Sequence, residues 1–137
     1  MFKKVHFRPI IRIGVPDRGF ENEMKKILFI DDEPAIGEMI SLFLSSVGYQ
    51  VKVAHDGEEG IEFLKNGEEF NAVITDIKMP TLSGNDVARY VREAIEPSNI
   101  HLVAISGMAD DVDKDLFDSF LEKPFRVKEL LSLLRSA

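Results

Sequence analysis

Three carboxylates stand together at the end of an apolar run near the start of this sequence. Residues 26–30 read KILFI, and Asp31, Asp32 and Glu33 follow directly. Neighbouring carboxylates about 4 Å apart repel by about 1 kcal/mol in water and by about 4 kcal/mol at an effective dielectric near 20. Either they form a solvated acidic turn, or they bind a divalent cation, which prefers such oxygen ligands. These residues alone leave both interpretations open.

Further polar side chains stand at the ends of later apolar runs. The run NAVITD ends in Asp76, HLVAIS ends in Ser106 and SFLEK ends in Lys123. Each residue alone has a simple explanation as a turn residue, a loop hydroxyl or a surface lysine. Together, at the ends of four strands that meet at one edge of a sheet, they predict a single site. A cation bound there would relieve the carboxylate repulsion and orient a phosphoryl group.

Strand-like runs alternate with helical patterns from Lys25 onward, as expected of βαβ units around a parallel sheet. Three of the runs are nearly all apolar, which is typical of strands buried on both faces. The five predicted strands are 26–30, 49–54, 71–76, 101–106 and 119–123.

Helical periodicity fills the segments between these strands. Pro34 suits the first turn of the first helix and Gly48 its C-terminal cap, while Ser83 and Asp86 resemble a capping box before the third helix. The stretch GMADDVDKDLFD has room for a fourth helix of about two turns at most. The first helix has apolar residues at helical spacing from Ile36 to Val47, and the remaining three helices are predicted at 58–66, 85–95 and 127–135.

Composition indicates one soluble domain with a substantial core. The chain has 137 residues, 45% of them hydrophobic and 30% charged, and no apolar stretch approaches the ~20 residues of a membrane helix. We therefore expect a cytoplasmic protein with no membrane association. The absence of cysteine excludes disulfides, thiolate metal sites and thiol catalysis.

Charge is unevenly distributed along the chain. Residues 1–23 carry five Lys/Arg against three Asp/Glu, or +2, and the remainder carries 12 against 21, or −9. Nucleic-acid binding depends on neutralising phosphates with Lys and Arg, so an acidic body argues against direct nucleic-acid contact. A basic protein partner suits it better.

The motifs IDDEP, TDIKMPTLSG, AISG and EKPF together resemble, in order and spacing, the receiver domain of response regulators in two-component signalling, the CheY-like family. The resemblance covers about Met24 to Arg135, and we take 24–137 as the receiver domain. It implies an α/β fold: a flavodoxin-like doubly wound (βα)5 sandwich whose five-stranded parallel sheet has the order 2-1-3-4-5, here with a shortened fourth helix.

The resemblance implies a role for each acidic residue of the site. Asp76 resembles the phosphoacceptor that becomes an aspartyl phosphate. Asp31 and Asp32 resemble the acidic pair that holds Mg²⁺, or Mn²⁺ as an alternative, together with Asp76 and the backbone carbonyl of Lys78. Lys78 and Met108 occupy positions that modulate the rate of dephosphorylation, and their bulk indicates a slow reaction.

The same resemblance assigns the remaining site residues. Ser106 would hydrogen-bond the phosphoryl group, and Lys123 would pair with its charge, with a cis peptide bond between Lys123 and Pro124. Phe120 falls at the position of the switch aromatic. A permanently buried core residue is the alternative interpretation of Phe120.

Two regions depart from the family pattern. Only 17 positions separate Ser106 from Lys123, which predicts a shortened or unwound fourth helix and an altered output face. Residues 1–23 lie outside the resemblance and are expected to be loosely ordered for the most part. As an alternative, HFRPIIRIGV could pair as an additional edge strand or contact a partner.

The sequence therefore predicts a single-domain response regulator in a phosphorelay, and not an enzyme beyond its own phosphorylation and autodephosphorylation. Its donor would be a sensor histidine kinase or a phosphotransfer protein, and the face of the fourth helix, fifth strand and fifth helix would switch contacts with an unidentified downstream protein. We expect a monomer or weak dimer. The alternatives are a phosphorylation-independent pseudo-receiver and a Mg-dependent phosphohydrolase of the haloacid-dehalogenase type, whose Asp-x-Asp signature would require Asp where Glu33 stands.

Overall fold

A six-stranded sheet forms the centre of the computed structural model, which describes residues 5–7, 25–95 and 99–136. The strands are β1 Val5–Phe7, β2 Lys26–Ile30, β3 Gln50–Ala54, β4 Ala72–Asp76, β5 His101–Ser106 and β6 Ser119–Glu122. The α-helices are α1 Pro34–Ser46, α2 Gly57–Lys65, α3 Gly84–Ala94 and α4 Val127–Ser136.

The strand order is β1-β6-β5-β4-β2-β3, and the strands from β2 to β6 pair in parallel. These five strands are the predicted ones. When β2 is counted as the first of them and β6 as the fifth, their order is 2-1-3-4-5, so the predicted order is confirmed. Their predicted bounds hold to within one residue at each end.

The sheet has one further strand outside this parallel set. Val5–Phe7 pairs antiparallel with β6, with Val5 opposite Leu121 and Phe7 opposite Ser119. The other residues of the 1–23 extension lie outside the described residues, so the expectation of loose order is left open for them.

Each face of the sheet buries its own apolar layer, because successive strand residues point to opposite faces. In β2, Leu28 and Ile30 belong to one buried cluster, and Ile27 and Phe29 belong to the other. The first layer includes apolar residues of α2 and α3, and the second includes those of α1 and α4. The nearly continuous apolar strands of the sequence follow from this burial on both sides.

The helix ends form where the sequence places its capping residues. Pro34 is the first residue of α1, and Gly48 follows the helix with a φ of 104°, a conformation that glycine adopts without steric cost. Ser83 accepts a hydrogen bond from the Asp86 N–H, and the Asp86 carboxylate accepts one from the Ser83 N–H. The predicted capping box therefore begins α3.

The prediction of a short fourth α-helix between Ser106 and Phe120 is wrong. Within residues 107–118, here called the bridging segment, the only helical element is a 3-10 turn at Ala109–Asp111. The described residues accordingly contain four α-helices rather than five. No described helix is both long and apolar enough to cross a membrane.

Side chains of α3 replace the missing helical hydrogen bonds of the bridging segment. Asn85 Nδ2 donates to the Asp111 carbonyl at 2.8 Å, and Asn85 Oδ1 accepts from the Asp113 N–H at 2.9 Å. Farther along α3, Arg92 Nε donates to the Leu116 carbonyl at 2.9 Å. These bonds favour an irregular path over a short helix because they satisfy backbone groups that a helix would have satisfied internally.

Candidate functional site

The candidate site lies at the carboxyl edge of the sheet, where β2 and β4 are neighbours. Ile30 is paired with Thr75, so the residues that follow them emerge side by side. Carboxylate oxygens of Asp31, Asp32 and Asp76 all lie within 4.8 Å of one another. The acidic residues singled out in the sequence are thus brought together by the parallel pairing of two strands distant in the chain.

Two of the three carboxylates are buried. Asp31 is 1% exposed and Asp76 is 7% exposed, while Asp32 is on the surface. The Glu33 N–H donates to Asp31 Oδ1 at 2.8 Å, and the Ile77 N–H donates to Asp76 Oδ1 at 2.9 Å. These backbone donors fix the orientation of both carboxyl groups at their strand ends.

Burial raises the pKa of Asp31, and the hydrogen bond from the Glu33 N–H offsets part of that rise. Burial also raises the pKa of Asp76, against the attraction of the Lys123 ammonium, whose Nζ lies 3.4 Å from Asp76 Oδ2. The charged forms of both groups are therefore costly without a further positive charge. An oxygen-only set of three carboxylates matches the ligand preference of Mg²⁺, so the residues present fit that ion.

The backbone carbonyl of Lys78 lies two residues beyond Asp76 in the loop that follows β4, and the Lys78 side chain is exposed. Met108 is also exposed, at 59%, in the loop that follows β5. Both residues therefore lie in loops at the edge of the sheet that carries the carboxylates.

Ser106 is the last residue of β5 and is 4% exposed. Its hydroxyl donates to the Met108 carbonyl at 2.8 Å and accepts from the Met108 N–H at 3.0 Å. The hydroxyl is thus engaged with its own loop. The Lys123–Pro124 peptide bond, directly after β6, is cis.

Phe120 is buried in β6, with 2% of its surface exposed. It belongs to the core layer that also contains Val112 and Phe117 of the bridging segment. Lys114 Nζ lies 5.4 Å from the centre of its ring, within cation–π range. In this conformation the aromatic ring is part of the core.

Sequence reasoning missed the contribution of Gly84, the first residue of α3. Its N–H donates to the Ile77 carbonyl at 2.9 Å, which folds the loop back onto the end of β4. A Cβ on Gly84 would overlap the Asp76 carbonyl oxygen and would lie 2.9 Å from Ile77 Cδ1. Glycine lets the helix approach the backbone of Asp76 this closely, and nothing in the local sequence distinguishes it from an ordinary loop glycine.

A groove of about 380 Å³ opens beside the acidic residues, between α1 and the loop that follows β6. Its lining is mostly apolar and includes three charged side chains. Its lining comprises Phe29, Asp31, Glu33, Ile36, Met39, Ile105, Lys123, Pro124 and Phe125.

A doubly wound α/β sheet of flavodoxin-like order, with its acidic site at the carboxyl ends of adjacent strands, defines a class of proteins that bind ligands at this switch point. The model of the response regulator receiver domain family matches residues 27–135. The chain therefore belongs to the response regulator receiver domain family.

Individual relatives agree with this assignment. The transcriptional regulatory protein DltR of Streptococcus agalactiae is 39% identical over 113 residues, which cover 80% of this chain and 50% of DltR. The chain spans about half the length of this and the other first curated relatives it matches.

Solved structures give the same result. The response regulator TrrA of Thermotoga maritima, determined in complex with Mg²⁺-BeF, has a TM-score of 0.73 and 30% identity, and covers 82% of this chain and 97% of its own. The chemotaxis response regulator CheY4 of Vibrio cholerae has a TM-score of 0.74 and 27% identity, with 82% of this chain and 97% of that chain covered.

Proposed function

We propose that this receiver accepts a phosphoryl group on Asp76 in a Mg²⁺-dependent reaction. The observation that carries the proposal is the convergence of three carboxylates within 4.8 Å of one another. Lys123 Nζ supplies a positive charge 3.4 Å from Asp76 Oδ2, at the point where a phosphoryl group would be received. Such an arrangement serves phosphoryl transfer, which depends chiefly on positioning and charge neutralisation.

Asp76 acts as the nucleophile: one of its carboxylate oxygens forms a bond to phosphorus while the donor's bond to phosphorus breaks. Lys123 stabilises the added negative charge, and the Ile77 N–H holds the carboxylate in place. Asp31, Asp32, Asp76 and the Lys78 carbonyl would hold Mg²⁺, or Mn²⁺ in its place, which would supply the remaining charge neutralisation when bound.

Ser106 provides the link between phosphorylation and conformation. It can turn its O–H from the Met108 carbonyl to a phosphoryl oxygen, which removes one of the two bonds that hold the loop. Phe120, which lies in the adjoining core layer, then changes its conformation as the switch aromatic. Lys78 and Met108 control the access of water to the acyl phosphate and so its lifetime.

The groove beside the site suits the phosphodonor, a sensor histidine kinase or a phosphotransfer protein. Ile36, Met39 and Phe125 line it together with Asp31 and Lys123. Met39 is 48% exposed, so its side chain is accessible to a protein that docks in the groove. A docked donor would bring its phosphoryl group to the carboxyl edge of the sheet.

The downstream target is a protein that contacts the output face, defined here as the bridging segment, β6 and α4. Several curated relatives are transcriptional regulators, and the present domain would control such an output through protein contacts of a monomer or weak dimer. Its acidic body favours a partner with a basic surface.

Intact-mass measurement after incubation with Mg²⁺ and acetyl phosphate tests the acceptor. Wild type and Asp110→Asn, a matched change of an exposed aspartate near the same edge, should gain one phosphoryl group, and Asp76→Asn should gain none. A gain that persists in Asp76→Asn would reject Asp76 as the acceptor. No gain in wild type would favour the pseudo-receiver, and turnover of small phosphate esters would favour the hydrolase.

Thermal unfolding with and without Mg²⁺ separates metal binding from phosphoryl transfer. The ion should raise the Tm of wild type by mass action, and the rise should disappear in Asp31→Asn, which loses one charged ligand. An equal rise in both proteins would place the ion elsewhere.

A further inference from the structure

The output face contains a strand edge that the chain covers with its own residues. β6 pairs with β5 on one side and with β1 on the other. Its partner β1 comes from the extension that precedes the matched receiver domain. The edge that would end the five-stranded sheet is therefore occupied.

The direction of the backbone groups identifies which atoms β1 satisfies. Ile105 faces β4, because its carbonyl accepts from the Ile77 N–H, so Ala104 and Ser106 face β6. Ala104 is in register with Phe120 and therefore bonds to Ser119 and Leu121, and the Lys123 N–H donates to the Ser106 carbonyl in the same pattern. Alternation along the strand then directs Phe120, the register partner of His6, to β1. Without β1, the N–H and C=O groups of Phe120 would form an open edge that can accept another extended chain.

Chain length and topology allow this pairing within one molecule. Phe7 lies opposite Ser119 at the amino end of β6, and β2 also begins at the amino edge of the sheet, so the connection returns to the edge that it left. Residues 8–25 span up to about 60 Å when extended. The four strand spacings from β1 to β2 amount to only about 19 Å.

Charge complementarity also favours attachment of the extension to its own domain. Residues 1–23 carry +2, and the remainder of the chain carries −9. Opposite charge on two tethered parts raises their tendency to associate, and the tether adds a high effective concentration.

We infer that the β6 edge is a strand-accepting interaction surface whose resident occupant is Val5–Phe7 of the same chain. A partner that docks by adding an extended strand must displace β1 first. Lys123, directly after β6, contacts Asp76, so pairing of β1 with β6 could influence signalling through that residue. This regulatory role rests on the proposed function. The pairing itself is independent of phosphorylation chemistry.

Residue-resolved amide exchange in the full chain tests the pairing. In the variant His6→Pro, the ladder donor opposite Phe120 is lost, and exchange at Phe120 should accelerate by about tenfold or more. Exchange at Leu121, whose N–H faces β5, should change little. The matched variant His6→Thr keeps the backbone donor and should retain protection at Phe120. Equal exchange at Phe120 in wild type and the proline variant would overturn the inference.

Addition of a strand in trans provides the second measurement. The synthetic peptide MFKKVHFRPI, residues 1–10, should bind the proline variant and restore protection at Phe120, while wild type, whose edge is occupied, should bind it at least about tenfold more weakly. Equal binding to both proteins would overturn the inference. So would protection in wild type that is lost on dilution, since that would assign β1 to a second copy. None of these measurements uses Mg²⁺ or a phosphodonor, so their outcome can be interpreted even if the proposed function fails.

Discussion

The carboxyl edge of β2 and β4 and the bridging segment 107–118 reach their structures in different ways. At the carboxyl edge, Asp31 directly follows β2 and Asp76 ends β4, so the pairing of two whole strands brings them together. The bridging segment has a 3-10 turn as its only helical element and is held by Asn85 and Arg92 of α3. One region depends on the pairing of regular strands, and the other depends on individual side-chain contacts from a helix distant in the chain.

This difference has a functional consequence. The carboxylates at the carboxyl edge are held in place by backbone donors at two strand ends. Burial disfavours their charged forms, which a bound cation would stabilise. The bridging segment contributes apolar residues, Val112 and Phe117, to the core layer of Phe120, so it can lose its helix and still close the core. The bridging segment can therefore lose its helix while the acidic residues keep their arrangement.

The largest expected effect comes from Gly84→Ala at the carboxyl edge. The added Cβ overlaps the Asp76 carbonyl and crowds Ile77, so the loop or the end of β4 must shift. We expect a loss of about 2 kcal/mol in the free energy of unfolding. A displacement of the acceptor should lower the phosphorylation rate with acetyl phosphate by about tenfold or more.

Gly107→Ala is the matched control in the bridging segment. A Cβ on Gly107 meets no atom within 4 Å, so both stability and rate should stay near wild type. Denaturant unfolding and intact-mass kinetics measure the two quantities. If both glycine variants behaved alike, close approach of α3 to Asp76 would not be the cause.

A smaller effect is expected from Asn85→Ala, which releases the bridging segment while leaving the acidic residues in place. Two hydrogen bonds to Asp111 and Asp113 are lost, which should destabilise the protein by about 1–2 kcal/mol and accelerate amide exchange at Asp113. Phosphorylation of Asp76 should continue.

Asn99→Ala changes an exposed asparagine and should leave both unfolding and exchange unaltered. Loss of phosphorylation in Asn85→Ala at intact fold would show that the two regions are coupled more closely than their contacts indicate.

The smallest effect concerns His101, the first residue of β5, which is 3% exposed. Its Nε2 lies 2.8 Å from Ser119 Oγ, and its Nδ1 lies 3.9 Å from Asp118 Oδ2. Burial lowers the pKa of His101 below 6.5, the Asp118 carboxylate offsets part of that shift, and Arg92 adds to it.

Because the folded pKa lies below the unfolded value, the unfolded state binds more protons, and stability falls as pH drops from 6.5 through the folded pKa. His101→Gln removes this titration and should reduce the pH dependence by about 1 kcal/mol or less in that window. Unfolding curves between pH 5 and 8 measure it, with exposed His55→Gln as the control. A steeper loss in His101→Gln on acidification would contradict the assigned direction.

Much of the fold follows from the sequence because its signals are local. Apolar strands, Pro34, Gly48 and the capping pair Ser83 and Asp86 specify element type and ends within a few residues of chain. The acidic cluster was foreseeable for the same reason, since its residues stand at strand ends and parallel strands bring those ends to one edge.

Tertiary structure decided the features that depend on a partner distant in sequence. The bridging segment could be expected to be short, but its path required Asn85 and Arg92 to bind its backbone. Residue 84 is restricted to glycine because the backbone of Asp76 lies beside it in the folded protein. The position of β1 depends on the edge of β6 with which it pairs. Local propensity states which conformations a segment can adopt, and the long-range hydrogen bonds and packing of the completed sheet select among them.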